Sequence, residues 1–234
     1  MTAPTMPDSL TDRLVLVSGG ASGLGAAVVD VLLERGARPH VLDLVAPKHD
    51  VPYEQVDLAE TATIAEAVDR LVGPEEIRAV VTAAGTDACG PFEDTTASRW
   101  ERVVTVNLLG TAAGMRAAMP RLSPRGDLVT VASTLGLRVL SDATAYCASK
   151  FGVVGFTRAL ARELEGRHRV TLVVPGGMAT SFFDGRPDQY RPGPDAVLAN
   201  PKDVAALVVD AITRPPGIEV KEIVLGPPGE PSWP

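Results

Sequence analysis

The stretch LVLVSGGASGLG, residues 14–25, reads as a buried β-strand, a glycine-rich turn and the start of a helix in direct succession. Glycines allow positive φ and let backbone N–H groups approach a phosphate closely, and the N-terminus of the following helix favours negative charge. The spacing departs from the common G-x-G-x-x-G, and no Gly-Lys-Ser/Thr of a mononucleotide loop follows. A tight turn without a ligand is the alternative. We expect this turn to bind the pyrophosphate of a dinucleotide through Gly19, Ser22, Gly23, Leu24 and Gly25.

The rest of the chain alternates short apolar runs with longer helical patterns, and no linker or internal repeat divides it. Strands that alternate with helices form parallel sheets that are covered by helices. We therefore predict a single α/β domain over residues 1–234, with a doubly wound, Rossmann-like parallel sheet of about seven strands and helices on both faces. The predicted strands are 14–18, 38–42, 53–56, 79–82, 128–131, 171–174 and 222–225, and the predicted helices are 24–35, 61–72, 96–119, 143–165 and 201–212.

The composition argues against nucleic acid and membranes as partners. The chain has 22 basic and 29 acidic residues and a net charge of −7, whereas both of those anionic partners attract basic surfaces. No apolar run approaches the ~18 residues that span a bilayer, and residues 1–12 lack the basic-then-apolar pattern of a signal peptide. We therefore expect a cytoplasmic protein. Cys89 and Cys147 lack metal-ligand spacing and the three histidines are scattered, so we expect reduced thiols and no metal site.

Tyr146 and Lys150 give the strongest catalytic signal in the chain. Residues four apart share one face of a helix, so both side chains would point the same way. A neutral phenol is a poor base at pH 7, and a nearby ammonium favours the phenolate, so we expect Lys150 to lower the pKa of Tyr146. Ser133, thirteen positions before Tyr146, can hold the oxygen atom that gains or loses the proton. An isolated pair of this kind usually consists of two exposed surface residues without a catalytic role. The surrounding motifs are what favour catalysis here.

Asp43 is predicted to select the cofactor. It stands at the end of the second predicted strand, eighteen residues after Gly25. A carboxylate there can accept hydrogen bonds from the adenosine ribose and repel a 2′-phosphate. No basic residue lies in the glycine turn or directly after Asp43, and Lys48 falls in a predicted loop. These features favour NAD(H) over NADP(H), and the alternative is a solvated carboxylate at a strand end.

Jointly, these motifs resemble the classical single-domain form of the short-chain dehydrogenase/reductase family over about residues 14–225. The glycine turn matches the family's cofactor loop, and Ser133, Tyr146 and Lys150 match its catalytic residues. The asparagines usual in the motif after the fourth strand are replaced by Thr82 and Ala83, which removes side-chain hydrogen bonds beside the cofactor. Further matches are Asp57 and Leu58 beside the adenine, Ala84 and Gly85 after the fourth strand, Asn107 as the catalytic asparagine, and Pro175, Gly176 and Thr180 at the nicotinamide amide.

The resemblance implies hydride transfer between nicotinamide C4 and a carbinol or carbonyl carbon. Tyr146 would be the general acid in reduction and the general base in oxidation, while Lys150 would also bind the nicotinamide ribose. Asn107 would hold a water that relays protons from Lys150 to solvent; taken alone, it reads as a helix-kink or interface residue. In the family, long helices such as those carrying Asn107 and Tyr146 pair between subunits, which implies a homodimer or homotetramer.

Two segments near the C-terminus stand apart from the alternating pattern. Residues 181–199 are rich in Gly, Pro and Asp, and we expect either a lid over the substrate or an ordinary mobile surface loop. The Pro-rich tail at 226–234 lacks the Asp-Gly-Gly ending of many relatives, and we expect it to dock onto the body or a neighbouring subunit, or else to be a frayed end. The candidate substrate residues are Leu135, Arg138, Leu140, Met178, Phe182, Phe183 and Arg186, a mixture that suits an apolar substrate with at most one acidic group.

Three functions follow from these features. The first is an oxidoreductase that transfers a hydride between NAD(H) and a small secondary alcohol or ketone. The second is an NADPH-dependent 3-oxoacyl-thioester reductase, for which a basic residue near the glycine turn or after Asp43 would be expected. The third is a cofactor-binding scaffold or regulator, since fold alone does not determine function. That class typically lacks the tyrosine or the lysine, and both are present here. The substrate itself is not identified by the sequence.

Overall fold

The computed structural model describes residues 9–233, and the remaining terminal residues of the predicted domain lie outside the described residues. Its strands form one sheet in which every neighbouring pair is parallel, in the spatial order β3-β2-β1-β4-β5-β6-β7. The strands are β1 (Leu14–Ser18), β2 (Arg38–Asp43), β3 (Tyr53–Gln55), β4 (Ile77–Thr82), β5 (Leu122–Val131), β6 (Arg169–Pro175) and β7 (Glu222–Leu225). The predicted doubly wound parallel sheet is therefore confirmed.

Helices cover both faces of this sheet because its strands are apolar on both sides. Val15 and Val17 of β1 point toward α1 and α6, whereas Leu14 and Leu16 point toward α2, α4 and α5. Parallel sheets that are buried on both faces have such continuous apolar strands. The helices are α1 (Gly23–Glu34), α2 (Ile64–Val72), α3 (Ala97–Val104), α4 (Thr111–Ala118), α5 (Thr144–Glu163) and α6 (Pro201–Ile212). Within residues 9–233, none of them is long and apolar enough to cross a membrane.

The single helix predicted over 96–119 is wrong in one respect, because a π-helical segment, Thr105–Gly110, separates α3 from α4. Gly110 lies against the neighbouring loop, and a Cβ atom there would be 2.8 Å from the Leu58 carbonyl oxygen. The Thr111 hydroxyl donates to the Asn107 carbonyl over 2.8 Å, a side-chain bond that competes with the regular helical ladder. π-Bulges inside helices often mark functional positions, and this one carries the fully buried Asn107.

The two largest further differences from the predicted element boundaries are at the start of β5 and the start of α2. β5 begins at Leu122, because Leu122 pairs with Ile77 before the register shifts and Asp127 pairs with Ala79. The irregular start of this strand lacks the alternation of apolar and polar residues that would have indicated a strand in the sequence. The turn at Thr61–Thr63 is a 3₁₀ helix, and the regular α2 starts only at Ile64.

The sheet creates a crevice where its winding direction changes. β1 lies between β2 and β4, and the chain passes from β1 to α1 on one face but from β4 to α3 and α4 on the other. The loops after the two strands therefore diverge at the carboxyl edge of the sheet. Ligands of open α/β sheets bind at such a switch point.

Candidate active site

A cavity of about 650 Å³ opens at this switch point, within the size range of small-molecule and cofactor sites. Most of the residues predicted to form the site line it. The lining includes Gly19, Ser22, Gly23, Leu24, Asp43, Asp57, Leu58, Ala84, Gly85, Ser133, Leu135, Leu140, Tyr146, Lys150, Pro175, Gly176, Met178, Thr180, Phe182, Phe183 and Arg186. Gly25, Asn107 and Arg138 are not among the lining residues.

The glycine turn depends on two close backbone contacts. Gly19 has φ of +77°, and a Cβ atom there would lie 2.5 Å from the backbone of Ala84, at the end of β4. Gly25 packs behind the turn, where a Cβ atom would lie 2.0 Å from the Gly19 carbonyl oxygen. Gly25 was predicted to bind the cofactor, but the structure places it in a packing role, because the first turn of α1 must fold directly beneath Gly19.

The N-terminus of α1 points its polar groups into the cavity. Ser22 stands at the N-cap position with extended backbone, and its side chain makes no capping hydrogen bond. The first N–H groups of a helix have no partner within the helix. Ser22, Gly23 and Leu24 all line the cavity, so this end can receive an anion.

Asp43 connects the end of β2 to the glycine turn. One carboxylate oxygen accepts the Ala21 N–H at 2.9 Å, and the other accepts the Leu44 N–H at 2.7 Å. An ionised carboxylate has about four acceptor positions, so Asp43 can also accept hydrogen bonds from ligand hydroxyls in the cavity that it lines.

Asp57 lies at the same end of the cavity and pairs with an arginine that the sequence analysis did not single out. Its carboxylate accepts the Ala59 N–H at 2.9 Å and binds the Arg102 guanidinium at 3.0 and 3.2 Å. Arg99 and Arg102, one turn apart on α3, both line the cavity. Their i, i+3 spacing at the start of an amphipathic helix is the sequence signal that could have indicated them.

Ser133, Tyr146 and Lys150 come together at the other end of the cavity. Tyr146 and Lys150 lie one turn apart on α5, with the Lys150 ammonium 5.6 Å from the centre of the Tyr146 ring. The Lys150 Nζ donates to the Val131 carbonyl at the end of β5 over 2.9 Å. The Ser133 hydroxyl accepts the Leu135 N–H at 3.1 Å, which turns its oxygen toward the start of the following loop. The segment at the end of β5 and the first turns of α5 thus meet at one place.

Burial is the largest influence on the pKa values of Tyr146 and Lys150. Burial raises the Tyr146 pKa above its ordinary value, and the Ser133 hydrogen bond only partly opposes that effect. Burial also lowers the pKa of Lys150 to about 8, against the opposing charge of Asp87. Desolvation therefore shifts both groups toward their neutral forms, and the effect of Lys150 on the Tyr146 phenolate stays a prediction.

The side-chain amide of Asn107 is hydrogen-bonded within the protein, and the water relay that the resemblance implies stays a prediction. Its Oδ1 accepts the Thr86 N–H at 2.8 Å, while its Nδ2 donates to the Thr86 carbonyl at 3.0 Å and to the Ser149 hydroxyl at 2.9 Å. Both amide N–H donors are used within the protein, and the side chain is fully buried. Asn107 therefore joins the loop after β4 to α5, which carries Tyr146.

The substrate side of the cavity is apolar with one embedded ion pair. The Arg186 guanidinium lies 5.0 and 4.6 Å from the ring centres of Phe182 and Phe183, and it donates to the Asp87 carboxylate over 2.5 Å. The Phe182 ring in turn lies 5.7 Å from the Tyr146 ring. Asp87 was not predicted, although its position two residues after Gly85 places it where the fourth-strand motif enters the cavity.

The remaining polar groups near Tyr146 do not suit metal or thiolate chemistry. Burial raises the pKa of Cys89 to about 12, and its thiol donates to the Asp87 carboxylate over 3.0 Å. A neutral thiol is a poor nucleophile. Within residues 9–233, no group of three or more His, Cys, Asp or Glu side chains could hold a metal ion.

Comparisons with known proteins agree with this geometry. The family model for short chain dehydrogenases matches residues 13–191. The short-chain dehydrogenase/reductase olcF of Penicillium canescens is 32% identical over 195 residues, which cover 77% of this chain and 75% of that protein. An uncharacterized oxidoreductase of Staphylococcus aureus strain MW2 is 29% identical over 232 residues, with 93% and 98% coverage. A short chain dehydrogenase from Burkholderia cenocepacia J2315, solved in complex with NADP, has a TM-score of 0.79 at 26% identity, covering 93% of this chain and 98% of its own.

The close packing of Gly25 generates a test of the glycine turn. A methyl group at Gly25 would overlap the Gly19 carbonyl, so we expect Gly25→Ala to displace the turn and to lower the free energy of unfolding by about 1–3 kcal/mol. NADH binding, followed by nicotinamide fluorescence, should weaken at least about tenfold. Gly217→Ala is the control, because nothing lies within 4 Å of a Cβ atom there. Wild-type binding and stability in Gly25→Ala would contradict this account of the turn.

Proposed function

Because this chain belongs to the short-chain dehydrogenase/reductase family, we propose that it is an oxidoreductase that transfers a hydride between NAD(H) and a secondary alcohol or ketone. The observation that carries the proposal is the single cavity that holds both the glycine turn and the group of Ser133, Tyr146 and Lys150. A dinucleotide site and a proton-transfer group in one cavity suit a reaction in which a hydride and a proton are transferred to the same substrate. The predicted cytoplasmic location and the small-molecule substrate belong to the same proposal.

The residues of the cavity fit a nicotinamide dinucleotide. The pyrophosphate would lie at Gly19, Ser22, Gly23 and Leu24, where the uncapped N-terminus of α1 opens into the cavity. Asp43 would accept hydrogen bonds from the adenosine ribose, and Asp57 and Leu58 would border the adenine. Lys150, together with Ala84 and Gly85, would border the nicotinamide ribose, and Pro175, Gly176 and Thr180 its carboxamide. When bound, this group supplies or accepts the hydride.

Tyr146 would move the proton at the substrate oxygen. Its raised pKa keeps the phenol protonated near pH 7, which is the form that a general acid needs for carbonyl reduction. In the oxidation direction the phenolate must form, and the Ser133 hydrogen bond and the Arg186 charge both favour that form. Lys150, with a pKa of about 8, is still largely an ammonium at pH 7 and would add to this stabilisation.

The substrate would lie between Tyr146 and the segment 181–187. Phe182, Phe183 and Met178 give this region an apolar surface, which favours a hydrophobic alcohol or ketone. Arg186 was a candidate for an acidic substrate group, but its charge is balanced by Asp87. A neutral substrate is therefore the better fit. Segment 181–199 would act as the lid, held by the Arg186–Asp87 pair and by the Tyr190 hydroxyl, which donates to Asp142 over 2.8 Å.

A second candidate is the NADPH-dependent 3-oxoacyl-thioester reductase. The observation that favours it is the pair of arginines, Arg99 and Arg102, in the cavity wall, since guanidinium groups bind phosphate well. Two observations weigh against it. Arg102 is already paired with Asp57, and Asp43 lines the same cavity, where its carboxylate would repel a 2′-phosphate.

The Tyr146→Phe variant tests the proposed reaction. Removing the hydroxyl removes the proton donor but not the ring, so we expect the turnover rate to fall by about 10²–10⁴-fold while NADH affinity stays within about twofold. Rates would be followed by NADH absorbance with a panel of secondary alcohols and ketones. Tyr53→Phe on the edge strand β3 is the matched control. Equal turnover in wild-type protein and Tyr146→Phe would exclude Tyr146 as the acid/base, whereas NADH binding without turnover in either protein would favour the scaffold function.

Cofactor preference tests the role of Asp43. We expect NADH to bind more tightly than NADPH, because a carboxylate repels a 2′-phosphate. Asp43→Ala should shift the ratio of the two dissociation constants toward NADPH by about tenfold, or ~1.4 kcal/mol. The ratio is the relevant quantity, since the variant also loses the Ala21 hydrogen bond. Asp50→Ala, an exposed neighbour, should leave the ratio unchanged. Tighter NADPH binding by wild-type protein would instead support the thioester reductase.

We also propose a homodimer or homotetramer formed through the π-segment and α5. Leu109 and Phe151 are exposed on these elements, at 49% and 43%. Burying such side chains against a second copy of this chain would be favourable.

Light scattering should give two or four times the chain mass of 24.5 kDa. Phe151→Glu should lower the measured mass, whereas Leu207→Glu on α6, a site of similar exposure, should not. A wild-type monomer would contradict the assembly without affecting the proposed reaction.

A further inference from the structure

The C-terminal tail, residues 226–233, folds back over the cavity of its own chain. It follows β7, whose last residue, Leu225, accepts the Gly176 N–H over 2.8 Å. Glu230, Pro231 and Ser232 line the cavity, and Ser232 is buried. The tail is thus part of the cavity wall and not a frayed end.

Glu230 uses both carboxylate oxygens within this wall. One oxygen accepts the Gly177 N–H at 2.8 Å, and the other accepts the Ser232 N–H at 3.1 Å and the Ser232 hydroxyl at 2.5 Å. Burial raises the pKa of Glu230, but the hydrogen bonds from Ser232 and Gly177 outweigh burial, so the net pKa is lowered. The carboxylate is therefore held in its ionised, acceptor-only form.

Glu230 also packs directly on the turn after β6. A Cβ atom at Gly176 would lie 2.3 Å from the Glu230 carboxylate. A side chain at position 176 would therefore overlap the Glu230 carboxylate. Together with the Gly177 hydrogen bond, this contact defines where the turn lies relative to the cavity.

A chain of hydroxyl groups extends from Glu230 to the segment after β5. The Ser232 hydroxyl lies 2.6 Å from the hydroxyl of Thr134, which is buried next to Ser133. Ser232 has a single hydroxyl proton, and the Glu230 carboxylate can only accept. The direction of donation is therefore Thr134 to Ser232 to Glu230. Through these hydrogen bonds, the Glu230 carboxylate is linked both to Gly177 in the turn after β6 and to Thr134 in the segment after β5.

We propose that Glu230 is a positioning residue of this site, which acts through Gly177 on the turn that borders the nicotinamide end and through Ser232 and Thr134 on the segment that carries Ser133. The inference rests on the proposed function, because it assigns those two segments to cofactor and substrate. It gives the Pro-rich tail a role in binding and orientation that the sequence does not indicate.

The Glu230→Gln variant is the most informative test, because it keeps the size of the side chain but replaces one acceptor oxygen with an NH₂ donor. If that donor faces Gly177 or the Ser232 backbone, it meets an N–H group that cannot accept it. It can bond the Ser232 hydroxyl only if the direction of donation between Ser232 and Thr134 reverses. We expect the dissociation constant for NADH to rise about tenfold and kcat to fall about fivefold. Glu230→Ala should show larger effects and Ser232→Ala smaller ones, mainly on kcat. Glu165→Gln, an exposed carboxylate in an i, i+3 ion pair, is the control.

The melting temperature separates positioning from general stabilisation. Our inference requires that Glu230→Gln changes NADH binding and kcat while its melting temperature stays within about 2 °C of wild type. A lowered melting temperature with unchanged binding and kcat would overturn the inference, as would wild-type behaviour in all three measurements. Failure of the wild-type protein to bind or turn over either dinucleotide would overturn the proposed function and this inference with it.

Discussion

The close approach of two backbone segments at the switch point of the sheet is the constraint on which the site depends. The turn after β1 must pass within contact distance of the end of β4, and only glycine at position 19 allows this, since a Cβ atom would lie 2.5 Å from Ala84. Behind the turn, Gly25 lets α1 begin directly beneath the Gly19 carbonyl. The N-terminus of α1 and the loop after β4 are thereby placed on either side of one cavity. The other residues assigned to the site come from the carboxyl ends of β2, β5 and β6, from the segments after β3 and β7, and from α5.

Burial determines the chemistry of the residues at the far end of that cavity. It raises the pKa of Tyr146 and lowers that of Lys150, so both groups are displaced toward their neutral forms. Asp87 and Arg186 place a balanced ion pair next to this group. Each of these two charges thus has a partner close to Tyr146. An unpaired buried ion there would carry a large desolvation cost. The result is a poised proton donor in an otherwise apolar pocket.

Local patterns in the sequence predicted the sheet, the glycine turn and the grouping of Ser133, Tyr146 and Lys150, because each depends on spacing within one or two elements. Properties that arise only from tertiary packing were not predicted. Desolvation raises the pKa of Tyr146, and the side-chain amide of Asn107 joins the loop after β4 to α5. Asp87 and Arg186 are 99 residues apart, and Glu230 and Gly177 are 53 apart. No period or motif connects such pairs, so their partnership emerges only when the strands are assembled.

The central claim is that this cavity supports hydride transfer coupled to a proton from Tyr146, and isotope transfer tests it most directly. Protein would be incubated with NADH that carries deuterium at both C4 positions and with a panel of apolar ketones, and the products would be analysed by mass spectrometry. The account predicts one deuterium on the carbinol carbon of the alcohol formed, with the hydroxyl proton taken from solvent through Tyr146. Bound NADH that transfers no deuterium to any ketone, together with NAD that oxidises no secondary alcohol, would contradict it.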